Sequence, residues 1–598
     1  MKNRKIIFMM LVALFALLTA CGPGEKKSAK GGGANSVDAT KFATAVENNG
    51  KAVSGATLKI AMVKDSPLKG IFNEALYDDA YDGDIIAGFV GSRLFDVDGN
   101  FEVTDTGAAI LTVDAPNKKA IIKIKDNVKW NDGTPLTADD VIFAYEVVGH
   151  KDYTGVRYNE ERKMIVGIED YHAGKTPTIS GIKKIDDRTV EIAFVEMGQG
   201  IYTVGNGLLG YALSKKDFAG VPIKEMVSSP KSREKIMTTG PYYITKTVQG
   251  KSLELKANEH YFKGKAKIDR VTIQVVNSQR ISAATKSGEY DIILKMRGYL
   301  YPTIKDLGNI TVLGRQELYY SYLGFKLGKW DEAQKKNIMN PNAKMGDVKL
   351  RQALVYGLDV DQISKIFYHG LGERAISSVP PVFKKYYPEG LEGFPYNPEK
   401  AKKLLDEAGY KDANGDGIRE GKDGKPFEVR IAAMAGGDIA EPLAQFYIQN
   451  WKEIGIKAVL ATGRLMEFNE FYDKVQADNP EIDVFFGAWG VGINLNPIKL
   501  AGKDSKFNYT RFVTEENTKL MTDVISEKGL REPGYKAAAY KKWQEYYIPM
   551  AAAVPLTYRY EIVPVNKRVK NFRIDYNRTV EGWGYHLVEL TADAPVKF

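Results

Sequence analysis

Residue types that support catalysis are sparse in this chain of 598 residues. Its five histidines contain no i, i+4 pair, and Cys21 is the only cysteine, so the sequence holds neither a zinc motif nor a thiolate cluster. A Gly-x-Ser-x-Gly nucleophile elbow and a Walker phosphate-binding loop are also absent from it. We therefore predict no catalytic residue, no metal and no cofactor, and interpret the protein as something other than an enzyme.

One acidic segment has the spacing of a calcium loop. Asp412, Asn414 and Asp416 occupy the first, third and fifth positions of an EF-hand-like sequence. The twelfth position holds Asp423 instead of glutamate, and no helix signal follows Gly424. A polar turn held by Asx hydrogen bonds is the favoured interpretation, and a calcium loop is the alternative.

The N-terminus predicts export and lipid attachment. A short cationic start precedes an apolar run over residues 6–18, which is shorter than the roughly 20 residues that span a bilayer. The run ends in Leu-Thr-Ala-Cys, which resembles a lipobox, so 1–20 is interpreted as a signal peptide and Cys21 as the lipidated residue. An ordinary signal peptide followed by an unrelated cysteine is the alternative. The Gly- and Lys-rich sequence that follows predicts a flexible tether over 21–54.

The charge balance gives no support to a nucleic-acid partner. Loss of the signal peptide removes three positive side chains, so the formal net charge falls from +9 to +6. No basic stripe with interleaved aromatic residues is present in the sequence. The 34 tyrosines and 25 phenylalanines fit either a large core or an aromatic-lined ligand cavity.

Short β-rich runs alternate with helices over the body of the chain. Thr137 opens a capping box before an apolar period of 3.6, and Asn397 followed by proline opens a helix that ends at Gly409. A helix over 443–454 precedes a strand over 456–460, a step typical of α/β layers. Partial alternation predicts three further strands, over 58–63, 120–125 and 189–194.

Seven separate blocks, in a preserved order, carry a resemblance to a known family. The most specific is 124–141, which predicts a strand, an Asn-Asp-Gly turn and a capped helix. The others are 240–243, 258–264, 267–271, 287–291, 347–359 and 396–409. On these blocks the chain is similar to the dipeptide and oligopeptide substrate-binding proteins of ABC importers, solute-binding protein family 5. Two further segments, 69–77 and 485–492, resemble the Gram-positive oligopeptide-binding lipoproteins more closely.

The resemblance implies an α/β fold of the two-lobed periplasmic-binding-protein type (class II), with an extra subdomain inserted in the first lobe. Mapped onto this sequence, the first lobe would comprise 55–90, 236–325 and 562–598. The inserted subdomain would be 91–235, and the second lobe 326–561.

The same resemblance implies where a ligand would bind. In that family an extended peptide lies between the lobes, its main chain is bonded as an added strand would be, and a hinge motion closes the lobes. By position, two segments and the amides after the second form the predicted ligand-binding set: Phe72, Asn73, Glu74, Trp489, Gly490, Val491, Gly492, Asn494 and Asn496. For the glycines the alternative is a turn that needs positive φ, and for the tryptophan it is a plain core position.

Asn494 and Asn496 depart from the family pattern. Dipeptide-binding members and many oligopeptide-binding members carry an aspartate after this segment, where it pairs with the α-ammonium of the ligand. An amide does not neutralise a buried ammonium, and a buried charge without a partner costs about 3–5 kcal/mol. We therefore predict that a free peptide N-terminus is not clamped here, which favours long peptides, blocked peptides or a less peptide-like ligand.

The resemblance implies a substrate-binding protein that captures oligopeptides and delivers them to an ABC permease. Lipidated Cys21 would anchor it to the cell membrane, on the extracellular or periplasmic face, as a monomer without a nucleic-acid partner. One alternative keeps the fold and binds a signalling peptide or a non-peptide solute. The other is a lipid-anchored hydrolase, for which the sequence offers no nucleophile and base.

Overall fold

A computed structural model describes residues 37, 39–576 and 584–598 of the protein. The predicted signal peptide over 1–20 and the predicted lipidation site Cys21 lie outside the described residues. Within the described ranges, no helix is long and apolar enough to cross a membrane.

An eleven-stranded sheet runs through both lobes. At its centre two long antiparallel strands, Ile310–Phe325 and Ala553–Asn566, pass from one lobe to the other, and we call them the hinge strands. Their register shifts between Gln316 and Tyr320. Because a bulge of this kind bends strands and interrupts the ladder, it separates a first-lobe part of the sheet from a second-lobe part.

The first lobe is built around Thr57–Val63, which confirms the strand predicted over 58–63. This strand pairs in parallel with Arg270–Val276 on one side and with Ile292–Leu294 on the other. Most of its side chains are buried, as is usual for a parallel strand covered on both faces. The other strands of this lobe are Tyr242–Val248, Ser252–Ala257, Val569–Lys570 and Glu589–Leu590, and its helices are Ala39–Lys41, Ala80–Ile85, Ile86–Val90, Ser278–Lys286, Gly298–Thr303 and Tyr585–Leu587.

Between two segments of the first lobe the chain forms an inserted subdomain with its own sheet and its own apolar core. The helix Ala138–Gly149 packs on this sheet, and the predicted capping box of Thr137 and Asp140 is present. The four antiparallel strands follow the order Ala109–Asp114, Lys119–Ile124, Thr189–Ala193 and Ile182–Asp186. Smaller elements are Asp96–Val97, Val103–Thr104, Glu160–Lys163, Ile168–His172, Gln199–Thr203, Ile223–Glu225 and Pro230–Arg233.

The second lobe continues the sheet beyond the bulge. Val484–Gly490 pairs with the hinge strand Ile310–Phe325, and Glu428–Ala432 lies between it and Lys457–Leu460. Three short strands complete the lobe: Gly328–Asp331, Lys336–Met339 and Gly372–Arg374. Its helices, in chain order, are Val348–Tyr356, Val360–Tyr368, Pro398–Ala408, Ala440–Glu453, Phe468–Gln476, Ile498–Ala501, Glu515–Val524, Lys528–Arg531 and Tyr535–Tyr547.

Two local predictions for the second lobe are confirmed. Asn397 Oδ1 accepts the N–H of Lys400 at 2.9 Å where the helix begins, and Gly409, with a φ of 88°, follows its end. The acidic loop after it is a turn held by Asx bonds, in which Asp412 accepts the N–H of Gly415 at 2.7 Å. Over the part of the chain that the structure describes, no group of three or more His, Cys, Asp or Glu side chains could hold a metal ion.

The segment predicted as a flexible tether over 21–54 differs from that prediction at its C-terminal end. The Phe42 ring meets the Tyr301 ring edge-on, with centroids 5.5 Å apart. The N–H of Val46 donates to the carbonyl oxygen of Phe572 at 2.9 Å. These apolar side chains supply surface to bury, which the Gly- and Lys-rich sequence before them lacks, so this stretch lies along the first lobe.

Candidate functional site

Charged and aromatic side chains meet where the hinge strands bulge. Lys295 and Asp84 of the first lobe form an ion pair of 2.7 Å, and Arg559 and Glu317 of the hinge strands form another of 3.0 Å. The Tyr319 ring lies near both cations, 4.9 Å from Lys295 Nζ and 5.8 Å from Arg559 Cζ. The side chains of Lys295 and Asp84 remain 15% and 30% exposed. We call these five residues the charged floor. They form a polar and aromatic surface between the lobes that is partly accessible to solvent.

Neighbouring groups stabilise the charged form of Lys295. Burial alone would lower its pKa, but Asp84, Tyr319, Glu561 and Glu317 act in the opposite direction and hold it well above the ordinary value. An ammonium in this position stays protonated at neutral pH. It presents a fixed positive charge beside an aromatic ring, a combination that suits polar and aromatic ligand groups alike.

The first predicted ligand-binding segment lies at the junction of the first lobe with the inserted subdomain. Phe72 is 1% exposed in the first-lobe core, and its N–H donates to the carbonyl oxygen of Ser232 at 2.8 Å. Asn73 donates to Ser232 Oγ at 3.3 Å. Glu74 accepts the N–H of Ser92, and burial raises the pKa of its carboxyl to about 7. The hydrogen bonds of all three residues thus join two parts of the fold.

The second predicted segment ends a strand beside the bulge. Gly490 lies opposite Tyr319 in the sheet, and a Cβ atom on it would come within 2.9 Å of that ring. Trp489 is half-buried, with its ring edge-on to the Phe507 ring at 5.0 Å. Val491 donates to a hinge-strand carbonyl, and Gly492 is exposed with a φ of 65°, which explains a glycine there. This segment therefore adjoins the charged floor between the lobes.

Asn494 and Asn496 contact a residue that the sequence did not single out. Asn494 Nδ2 donates to the carboxylate of Glu161 at 3.0 Å, and Asn494 Oδ1 accepts from Thr203 Oγ1 at 3.2 Å. Asn496 Oδ1 accepts the N–H of Ile498 at 3.0 Å. Since Glu161 and Thr203 belong to the inserted subdomain, Asn494 joins that subdomain to the second lobe.

Glu161 is 1% exposed and ionised. Burial raises the pKa of its carboxyl, but Lys499, Arg162, the N–H of Asn206 and Asn496 act against this and together hold the pKa below the ordinary value. The N–H of Asn206 donates to the carboxylate at 2.6 Å. No motif marks Glu161 in the sequence, because it lies in a short charged helix whose partners are far away along the chain.

The comparisons with known proteins identify the family. Residues 106–508 match the family described as bacterial extracellular solute-binding proteins, family 5. The oligopeptide-binding protein OppA of Lactococcus lactis subsp. lactis is 34% identical over 575 residues, which cover 95% of each chain. The chain belongs to this solute-binding family. It is therefore a binding protein and not an enzyme, which confirms the prediction from its residues.

Solved structures of relatives agree with the two-lobed fold of this solute-binding protein. Lactococcal OppA, complexed with an endogenous peptide in the closed conformation, has a TM-score of 0.85 at 33% identity, covering 90% of this chain and 100% of that one. AppA from Bacillus subtilis in complex with a nonapeptide has a TM-score of 0.74 at 25% identity over the same share of this chain. The predicted α/β fold with two lobes is confirmed.

The inserted subdomain of this solute-binding protein touches the second lobe at a further place. A Cβ atom on Gly198 would lie 1.9 Å from the carbonyl oxygen of Ile525. Nearby, the N–H of Glu527 donates to Glu196 at 3.2 Å, and Lys118 pairs with the Glu527 carboxylate at 3.1 Å. The main chain of Gly198 lies against the main chain of Ile525. Position 198 therefore has no room for a side chain while the inserted subdomain and the second lobe stay in contact.

Proposed function

We propose that the protein captures oligopeptides between its two lobes and delivers them to the permease of an ABC importer. The observation that carries the proposal is the likeness, over nearly the whole chain, to proteins named as oligopeptide-binding and solved with peptides bound. The lipid on Cys21, the place at the outer face of the cell membrane and the monomeric state belong to the same proposal. The sequence of the N-terminus supports the lipid and the location.

In this proposal the peptide lies across the charged floor and along the segment from Trp489 to Gly492. Gly490 and Gly492 are exposed and leave the main chain of the segment uncovered. A peptide can bond such a main chain as an added strand would, largely independently of its sequence. The half-buried Trp489 and the ring of Tyr319 offer apolar surface to side chains of the ligand.

Mass spectrometry of the ligand that copurifies tests the proposal. The chain is purified without denaturation from a bacterial host, and whatever is released on unfolding is identified. A mixture of peptides is the expected result. An empty protein, or a single non-peptide mass, would contradict the proposal and favour a specialised receptor of the same fold. The absence of the family's aspartate near Asn494 and Asn496 is the feature that supports this alternative.

Acetylation of the peptide N-terminus is expected to change the affinity by less than about threefold. The amide of Asn494 is already engaged with Glu161, whose charge is met by Lys499 and Arg162. A buried ammonium would therefore find no free carboxylate at this point, whereas a clamped N-terminus would lose about 3–5 kcal/mol, two to four decades of affinity. Calorimetric titration of one nine-residue peptide with and without the acetyl group measures the ratio, and a loss of two decades would contradict the prediction.

Gly198→Ala is expected to weaken peptide binding while the protein stays folded. The new methyl group would overlap the carbonyl of Ile525, so the inserted subdomain and the second lobe could not close as they do here. Overpacking of this kind costs about 1–3 kcal/mol, which is roughly one to two decades of affinity. Titration with a peptide measures the loss. The matched control is Gly308→Ala, whose methyl group would meet only the Phe598 ring at 3.9 Å; equal affinities for the two variants would contradict the prediction.

A further inference from the structure

Three cationic side chains gather around Glu161. Arg162 comes from the inserted subdomain, and Lys499 and Lys536 come from the second lobe. Arg162 is 9% exposed and Lys536 4%, so both charges are held almost entirely out of bulk water. The Glu161 carboxylate interacts electrostatically with all three. One negative charge, already bonded by Asn494, therefore faces three positive charges.

The hydrogen-bonding capacity of these cations is largely unused. Within the described part of the chain, Arg162 Nε and Nη1 are buried and have no hydrogen-bond partner. Over the same residues, neither Lys499 nor Lys536 forms an ion pair or a side-chain hydrogen bond. Lys536 Nζ lies 5.4 Å from the centroid of the Tyr386 ring. The donors of the cluster are thus available to a group that the protein itself does not supply.

Burial and mutual repulsion both act on these groups. Burial lowers the pKa of Lys499, and Arg162 and Arg157 add to this effect while Glu161 opposes it. Burial lowers the pKa of Lys536 to about 8, opposed by Glu161 and assisted by neighbouring lysines. Buried charges in proteins are normally paired because an unpaired charge is costly. A cluster with excess positive charge is best explained by a negative partner that binds to it.

We propose that Arg162, Lys499 and Lys536 bind a carboxylate of the ligand between the inserted subdomain and the second lobe. This inference rests on the proposed function and adds a preference to it, namely peptides that carry a carboxylate at this point. Arginine offers a planar pair of donors to a carboxylate, and the two lysines add point charges. The carboxylate is either the peptide C-terminus or an acidic side chain. Because the cations come from both sides, it would also hold the two parts together.

The test compares peptides that differ only in a carboxylate. One nine-residue peptide is titrated with a free C-terminus and as the C-terminal amide, and a second pair exchanges one glutamate for glutamine along the chain. The full chain is expected to bind the charged member of at least one pair roughly tenfold more tightly, as befits charge-assisted hydrogen bonds. The pair that shows the preference identifies the source of the carboxylate.

The variant Lys536→Met tests whether the cationic cluster causes the preference for charged peptides. Methionine keeps much of the volume of the lysine and removes a buried charge, so the variant is expected to fold, which a thermal melt checks. The ratio between charged and neutral peptide should fall to near one in this variant. It should be unchanged in Lys541→Met, which alters an exposed lysine of the same helix, with 58% of the side chain accessible.

Three results would overturn the inference. If neutral and charged peptides bind the full chain equally, the cluster has no carboxylate ligand, and the proposed function still stands. If the preference survives in Lys536→Met, another part of the protein produces it. When no peptide of either kind binds, the proposed function fails, and the inference that rests on it fails as well.

Discussion

Asp291→Ala is expected to lower the free energy of unfolding by about 3–5 kcal/mol. Asp291 is 0% exposed and Arg568 1%, and the guanidinium meets the carboxylate with both Nε and Nη2, the latter at 2.7 Å from Oδ2. The same carboxylate accepts the N–H of Lys59, in the central parallel strand of the first lobe, at 2.8 Å. Loss of the carboxylate leaves a buried guanidinium without its counter-charge and a main-chain N–H without its acceptor.

Chemical denaturation followed by circular dichroism measures this effect. Asp269→Ala is the matched control, because Asp269 forms an ion pair with Lys265 in the same lobe but its side chain is 62% exposed. Exposed pairs of this kind contribute about 0–1 kcal/mol. A loss below about 1 kcal/mol in Asp291→Ala, similar to that of the control, would mean that the buried pair does not hold the first lobe together.

Local structure could be predicted from the sequence because its causes are local. The helix between Asn397 and Gly409 is specified at its start by the Asn397 side chain, which accepts the N–H of Lys400 three residues later. Its end is specified by Gly409, because glycine tolerates positive φ. The Asx turn at Asp412 likewise depends on contacts within a few residues. In the same way, the spacing of apolar residues identified strands and helices in each part of the chain.

The site could be predicted only in part, because its contacts are distant along the chain. The Asn494–Glu161 hydrogen bond joins residues 333 positions apart, and the pair of Asp291 and Arg568 spans 277. The bulge that brings Lys295 to Tyr319 depends on the register of two hinge strands, which no local pattern specifies. The resemblance placed Trp489 and the glycines after it near the cleft, but it could not supply their neighbours.

The chemistry of the amide explains why asparagine stands at position 494. One side chain must donate to Glu161 and accept from Thr203, and an amide does both. The sequence predicted that this residue contacts the ligand, whereas in the structure its amide donates to a carboxylate of the inserted subdomain. An aspartate in this place would face Glu161 with a like charge. The missing carboxylate of the family pattern is therefore linked to the presence of Glu161.

Asn494→Asp is accordingly expected to weaken peptide binding by roughly a hundredfold. Two carboxylates would then meet where the amide now donates to Glu161 at 3.0 Å. Unit charges at about 4 Å repel by about 4 kcal/mol at an effective dielectric constant of 20. The cations around Glu161 offset part of this repulsion, and the remainder, together with the lost amide donor, opposes the contact between the inserted subdomain and the second lobe. The loss should shrink as the pH falls, because adjacent carboxylates can share a proton when one pKa is raised.

The double variant Asn494→Asp with Glu161→Gln tests the cause of that loss. It exchanges the amide and the carboxylate, so the new glutamine can donate to the new aspartate, and the net charge of the cluster is unchanged. Calorimetric titration with one peptide should therefore show recovery of most of the affinity lost by either single variant, the signature of a direct pairwise interaction. Asn340→Asp, at an exposed position of the same lobe, controls for added charge and should bind as the parent chain does. Losses that simply add in the double variant would show that Asn494 acts on the ligand itself rather than through Glu161.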